Sequence, residues 1–234
     1  MAISLTTVTG TANSTSVTTS ASITVASGDS LVVGIITGLN TVTVSSVTFN
    51  TGSPQSLSAV TNVAVSSSLR MEVWELAAPT AGTATVSATI STTVVVDIIA
   101  VCVSGAASGA SYRDAAQTNS ATASTTASIN ITSEVGDLAL AFIGNRNTNS
   151  TWTADASPVS QLAVITSGTG TTHVRLAALS ETGAASTSPS GTYGATRDWG
   201  AIGFNLNAAS SGGTGSLVRG LRAAGIVGPT ALVA

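Results

Sequence analysis

Apolar residues recur at every second position through much of this chain, and the breaks in that rhythm are as informative as the rhythm. In Leu69-Arg70-Met71-Glu72-Val73-Trp74-Glu75-Leu76, the side chains of Leu69, Met71 and Val73 share one face while Arg70 and Glu72 share the other. This is the period of a half-buried strand. At Val73-Trp74 the phase slips, and Trp74 and Leu76 are apolar on the opposite parity. Such a slip predicts a β-bulge, or a strand passing from one packed environment into another. Pro79 cannot donate to a ladder and ends the strand, and Gly82 permits the turn. Leu31-Val32-Val33-Gly34-Ile35-Ile36 is an almost unbroken apolar run, predicted to be central in its sheet and buried on both faces. Residues 42–49 alternate with one slip at Ser45-Ser46, 57–65 are a weaker strand, 85–90 alternate cleanly, and 94–103 are the most apolar of all. Residues 1–27 hold two short signals, Ile3-Ser4-Leu5 and Ser22-Ile23-Thr24-Val25, around a hydroxyl-rich loop. Residues 105–128, with the insert Tyr112-Arg113-Asp114, read as a long surface connection.

The second half repeats the order of the first. Gly136-Asp137-Leu138 answers Gly28-Asp29-Ser30-Leu31. Val174-Arg175-Leu176-Ala177-Ala178-Leu179 answers Leu69-Arg70-Met71-Glu72-Val73-Trp74, slip included, and Ile202-Gly203-Phe204-Asn205-Leu206 answers Ile99-Ala100-Val101-Cys102-Val103. The offsets (137 − 29 = 108, 175 − 70 = 105, 202 − 99 = 103) shrink as a duplication with loop shortening would give. Two equivalent halves, each too small to close its own core, predict an all-β, two-sheet antiparallel sandwich: a jelly roll with pseudo-duplicated halves. A pair of small immunoglobulin-like domains is the alternative. The expected division is a sandwich over 1–208, with 1–27 as a candidate N-terminal arm, followed by 209–234. There Ser210-Ser211-Gly212-Gly213-Thr214-Gly215-Ser216 reads as a flexible linker before an apolar, Gly-punctuated extension.

Composition narrows the function. Of 234 residues only 7% are charged, all seven basic ones are Arg, and the net charge is −3. Nucleic acid would call for a basic stripe, so none is expected as a partner. No apolar run approaches the roughly 20 residues of a membrane span. The opening Met-Ala-Ile-Ser-Leu has no basic n-region, which predicts no signal peptide. Solubility resting on hydroxyls rather than charge suits a protein that works inside an assembly.

Catalytic chemistry finds little footing. His173 is the single histidine, on the polar side of its strand beside Arg175, with no nucleophile-elbow motif to serve. Asp29 and Asp137 follow glycines in matching turns, where an aspartate caps its own backbone. Glu72 and Glu75 fall on opposite faces of one strand and cannot act as an acid–base pair. Cys102 lies in the most apolar strand as a small core residue. Three N-x-S/T matches, at Asn13, Asn130 and Asn149, are expected by chance in so Ser/Thr-rich a chain. No enzyme, cofactor or metal is expected. Trp152 beside Arg146 and Asn147 is the weak candidate for glycan contact, set against a Trp152 that opens a strand and faces the core. Tyr112 and Tyr193 are the other aromatics with any claim to an exposed loop end. Leu217, Leu221, Ile226, Val227, Leu232 and Val233 form an apolar tail that would be sticky if left free, and are the candidate partner anchor.

A strand Arg-x-Glu-x-Trp-x-Leu (70–76), a turn and strand Pro-Thr-Ala-Gly-Thr-Ala-Thr-Val (79–86), an apolar strand ending Val-Ser-Gly (98–105) and a later Gly-Asp-Leu strand (136–140) together resemble the jelly-roll structural domains of tailed-bacteriophage virion proteins. The similarity covers residues 26–208. It implies a capsid decoration or cement protein, or a fibre module, made in the host cytoplasm and located on the capsid surface of the virion. Its expected partners are the major capsid protein or other virion subunits, with self-association as a homotrimer. The alternative from a different class is a carbohydrate-binding module of a phage fibre or secreted adhesin.

Overall fold

The computed structural model describes residues 2–146, 151–168 and 173–210, with backbone alone at 12–16. The first half forms β1 (Ser4–Thr19), β2 (Ile23–Val25), β3 (Ser30–Thr37), β4 (Val44–Phe49), β5 (Gln55–Ser56), β6 (Ser58–Val65), β7 (Leu69–Leu76), β8 (Gly82–Ala84) and β9 (Val86–Ser104). The second forms β10 (Gln117–Ser128), β11 (Leu138–Arg146), β12 (Trp152–Ala154), β13 (Val159–Ser167), β14 (Val174–Thr182) and β15 (Ser190–Leu206). A single 3-10 turn, Gly109–Ser111, lies between them, and the described residues contain no α-helix.

Each half makes one large antiparallel sheet, the two large sheets have the same plan, and β2 and β8 of the first half form a separate two-stranded sheet. The first runs β1-β9-β3-β7-β6, with β4 and then β5 attached to the N-terminal part of β9; the second runs β10-β15-β11-β14-β13, with β12 attached to the N-terminal part of β15. The registers agree residue for residue. Ser30 opposite Val103 becomes Leu138 opposite Leu206, and Leu31 opposite Leu76 becomes Ala139 opposite Glu181. The irregularities are copied as well. Register shifts at Ala12, Thr15 and Val17 recur at Ala121, Ser124 and Thr126, and the bulge between Ala59 and Thr61 recurs between Gln161 and Ala163. A bulge inserted independently would have little reason to fall at the same place. The duplication is therefore structural, and the offsets of 108, 105 and 103 are those of β3, β7 and β9.

The apolar residues divide among three cores. Between the sheets, Val32, Ile36, Met71, Val73, Ile99 and Val101 meet Phe142, Leu176, Ile202 and Phe204. Each half also has a core of its own. Along β9, Val86, Ala88 and Ile90 share a cluster with Val96, Ile98 and Ala100, while Ser91, Thr92 and Thr93 between them are exposed. That is possible only if β9 bends and turns its sheet over on itself. The second half repeats the bend around Tyr193, Trp199, Ala201 and Leu179. Expecting each half to be too small to close a core was thus wrong. Each sheet is buried on both faces, which is why β3 is apolar without alternation and buried along its whole length.

Where β3 crosses β11, the halves fit by exchange of size. A Cβ on Gly34 would lie 2.2 Å from Cδ1 of Phe142, and one on Gly144 would lie 2.6 Å from Cδ1 of Ile36. Phe142 is the counterpart of Gly34, and Gly144 of Ile36. Each strand therefore offers one knob and one hole to its own duplicate, and identical halves could not pack this way.

Four expectations are corrected. The stretch read as an N-terminal arm contains β1, hydrogen-bonded to β9 from Ser4 to Thr19. The surface connection at 105–128 contains β10, its counterpart, whose Ser, Thr and Asn side chains point largely to solvent. Residues 85–90 and 94–103 are one bent strand. Of the two readings of the slip at Val73-Trp74, the bulge in β7 is excluded because its pairing with β3 is unbroken, and the passage from one packed environment to another holds. Leu69, Met71 and Val73 face the central core, and the other face changes from polar (Arg70, Glu72) to apolar (Trp74, Leu76) under the first half's own core. The bulge lies next door in β6.

Candidate functional site

Chemistry concentrates where strands end, beginning with the clamp that ties the segment between the halves to the first sheet. Glu75, near the end of β7, accepts hydrogen bonds from Tyr112 Oη (2.5 Å), Arg113 Nε (2.6 Å) and Arg113 Nη2 (2.8 Å). The Arg113 guanidinium stands 5.4 Å from the Phe204 ring centroid. Burial alone would raise the pKa of Glu75, but the hydrogen bonds from Arg113 and Tyr112 outweigh it and hold the carboxyl below its ordinary value. Burial and the facing carboxylate push the Tyr112 phenol well above the usual range. The clamp fixes Asp114 beside the ends of β11 and β15.

There Asp114 helps line a cleft of about 440 Å³ with Ser111, Thr132, Ser133, Glu134, Asp137 and Asn207. Gly136, at φ 97°, makes the turn that delivers Asp137. Asp137 accepts from Asn205 Nδ2 (2.9 Å) and from the backbone N–H of Ala208 (2.8 Å). Asn205 is buried, accepts from Ser133 Oγ at 2.7 Å, and also reaches Asp114 and Asn207 through its Nδ2. Ala209 donates to the carbonyl of Gly105. This network engages both Asp137 oxygens and fastens the chain immediately before residue 211. It can hold a hydrogen-bonding partner, but it offers no paired free carboxylates and no nucleophile beside a base. Among the described residues no group of three or more His, Cys, Asp or Glu is placed to hold a metal ion.

The matching corner of the first half is built differently. Asp29 accepts from its own turn, the N–H of Ala26 at 2.8 Å, and from the Cys102 thiol at 3.3 Å. Cys102 occupies the place of Asn205. Burial and the nearby Asp29 push the thiol pKa up to about 12, so it is an inert core group. Asp29 caps its own turn as expected. Asp137 instead reaches across to the end of β15, and comparing Cys102 with Asn205 in the repeat was the signal that could have found it.

The glycan candidates do not form one cluster. Trp152 opens β12, is half-buried against the second half's own core, lies 4.9 Å from Tyr193 between ring centroids, and donates to Gln161 at 3.0 Å. Arg146 donates to the carbonyl of Ser68, in the first half, at 3.2 Å. On β11 it falls on the parity of Leu140 and Phe142, which face the central core, so it and Trp152 belong to opposite faces of the second sheet. Asn147 lies outside the described residues, as do Leu217, Leu221, Ile226, Val227, Leu232 and Val233. Tyr112 and Tyr193 are buried, at 1% and 4% exposure. His173 is half-buried, with Nδ1 enclosed and without a partner. No family model, curated protein or solved structure matches the chain.

Proposed function

We propose that this protein is a structural component of a virion, a decoration or cement protein on the head exterior of a tailed bacteriophage that acts as a trimer. The observation that supports it is where the C-terminal extension begins. The hydrogen bonds to Ala208 and Ala209 fix its origin at one end of a hydroxyl-covered sandwich, so residues 211–234, with their apolar positions, start from a defined point. A rigid body plus an extension of this kind is a plan for covering a neighbouring subunit with more surface than the body alone offers. The sandwich supplies the rigidity, because three cores and a reciprocal knob-and-hole contact leave its two sheets little freedom to slide.

The test is immunogold electron microscopy of virions from the source culture, using antibody against this protein. Regular labelling over the head supports decoration; labelling confined to a tail tip, or absent from particles, overturns it. Removing residues 209–234 should abolish binding to particles while leaving the sandwich folded, and undiminished binding would rule out the extension as the anchor.

A further inference from the structure

The cleft at the ends of β11 and β15 gathers negative charge that its own wall does not balance. Asp114, Glu134 and Asp137 all line it, and among the described residues around it there is no arginine or histidine. The oxygens of Asp114 accept from neutral amides, Asn205 Nδ2 at 3.2 Å and Asn207 Nδ2 at 3.1 Å. Those of Asp137 accept from Asn205 and from the Ala208 N–H, neutral as well. Arg113, next to Asp114 in the chain, turns its Nε and Nη2 to Glu75 instead. Like charges around one cleft repel one another and attract a cation.

The same turn in the first half shows that the fold does not require this charge. Ala26-Ser27-Gly28-Asp29 and Glu134-Val135-Gly136-Asp137 are closed by the same bond, from the aspartate N–H to the carbonyl three residues back, at 3.2 Å and 3.1 Å. The second half has a glutamate in place of Ala26 and a valine in place of Ser27. Val135 is 89% exposed, the most exposed of the large apolar side chains among the described residues. An acidic cleft with an apolar side chain in the turn beside it suits a segment that carries arginine and apolar residues together.

We propose that the cleft is the docking site for residues 217–222 of this chain's own C-terminal extension, with Arg219 and Arg222 against the carboxylates and Leu217, Val218 and Leu221 against Val135. The inference is independent of the virion reading, since it concerns a contact of the free protein with itself. All ten carboxylate side chains of the chain precede residue 211, and the extension carries two arginines and no acid. It also starts at the cleft: Ser210 lines it, and Ala208 and Ala209 are fastened beside it. Arg219 follows nine residues after Ser210, and a Gly/Ser-rich chain of that length spans about 15–18 Å on average, enough to turn back. Tethering at the rim gives the segment an effective concentration on the order of millimolar, which a second copy does not match in dilute solution. Guanidinium groups suit the site because their forked N–H donors fit carboxylates.

The experiment is disulfide trapping in the full chain, with Thr132→Cys on the cleft wall and Gly220→Cys between the two arginines; Cys102 is buried and does not interfere. In dilute protein under mild oxidation the bond should close within one chain. It should form at least about tenfold faster than in a control pairing Gly220→Cys with Thr92→Cys, which is exposed at the bend of β9. Asp114→Asn together with Glu134→Gln, or salt at about 1 M, should slow the first pair about three- to tenfold and leave the control unchanged. Equal rates for the two pairs, no response to neutralisation, or a bond that forms between chains at a rate set by protein concentration would each overturn the assignment, the last in favour of a second copy. If the cysteine variants fail to fold, trypsin decides on the wild type. Cleavage after Arg219 and Arg222 should be about threefold or more slower than in a free peptide of residues 211–234 at low salt, with the difference vanishing at high salt. Equal cleavage at low salt would overturn the docking.

Discussion

The first half places Ile90, Val94, Val96 and Thr37 where the second places Tyr193, Arg197, Trp199 and Asn145, on the same strands, in the same registers and beside the same bulges, with Val94 and Arg197 half-buried and the others buried. The backbone plan therefore tolerates both an aliphatic seal and a polar, aromatic lining at one place. Where β3 crosses β11 the sheets tolerate variation only in matched pairs. There the halves differ too, but the differences compensate: glycine against phenylalanine on one side of the crossing, isoleucine against glycine on the other. Divergence between the halves is compensated at that crossing, while in the private cores each half is lined in its own way. Shared packing specifies how the halves join, and the private cores are free to differ.

The sharpest way to break this view is to disturb the crossing. Phe142→Ala should destabilise the protein by about 3–5 kcal/mol in urea denaturation, the usual cost of emptying a buried aromatic site. Gly34→Val should cost about 1–3 kcal/mol or more, because its side chain has no room beside that ring. In the double variant the new side chain enters the space the ring vacated. Its cost should be below the sum of the two by roughly 1–3 kcal/mol. Simple additivity would mean that the two positions do not share a site.

A second asymmetry lies in the central core. Asp97 is 0% exposed with neither carboxylate oxygen partnered, whereas its counterpart is Gly200. Burial drives its pKa up to about 7; Ser167, whose hydroxyl faces it without closing a bond of ordinary geometry, and Arg175 act in the opposite direction but do not prevail. The folded state thus favours the protonated acid. Its contribution is complete below the unfolded value of 3.8 and is lost as pH rises through about 7. Asp97→Asn should therefore flatten the pH dependence and, relative to wild type, gain roughly 2–4 kcal/mol between pH 4 and pH 9. Equal slopes for the two proteins over that range would show that the carboxyl is solvated.

These asymmetries also explain what could be read from the residues alone. The repeat was legible because large apolar side chains mark β3, β7 and β9 and their counterparts, and Gly-Asp turns keep them in phase. The outer strands β1 and β10 were not legible. They lie at sheet edges, and β10 alternates Ser and Thr with Ala and Asn, a pattern shared with loops. The slip at Trp74 was visible, and of its two readings the change of packed environment holds while the bulge in β7 does not, since alternation assumes one wet face and β7 has none. Of the polar sites, Asp137 was noticed as a motif, but its partner Asn205 sits in a strand where Cys102 gave no hint of a cleft. Asn145, Arg197 and Trp199 each looked like ordinary strand residues. Only the pairing of β11 with β14 and β15 puts them side by side.

Below these effects comes the pair Trp74 and Leu179. Leu179 is fully buried in the second half's own core, while Trp74 is half-buried over the first and donates to Glu72 at 3.1 Å. Leu179→Ala should cost about 2–4 kcal/mol and Trp74→Ala about 2–3 kcal/mol, part of it from the partner lost to Glu72. If Trp74→Ala were the costlier by a wide margin in thermal or urea unfolding, the indole would be the anchor of its half.

The smallest expected effect belongs to Asp198, which joins the halves at the surface. Its Oδ2 accepts from Ser68 Oγ at 2.6 Å and Ser66 Oγ at 3.1 Å, in the first half, and its Oδ1 from the N–H of Ala123 at 3.2 Å, in the second. Ser66 (φ 45°) and Ala123 (φ 51°) are the two non-glycine residues with positive φ among those described, so one carboxylate braces both strained turns. The first half has Val95 at this position and nothing comparable. The hydrogen bond from Ser68 leads the causes that hold the Asp198 pKa below its ordinary value, against a burial effect too weak to reverse it. A depressed carboxyl contributes stability that is present above its unfolded pKa and lost as pH falls through the folded one. Because the group is largely solvated, Asp198→Ala should cost only about 0.5–1.5 kcal/mol at neutral pH, less in high salt. The difference from wild type should close as pH falls through and below the lowered Asp198 pKa. Hydrogen exchange should quicken at Ala123 and around Ser66 together, and quickening at one turn alone would show that the carboxylate does not couple the halves.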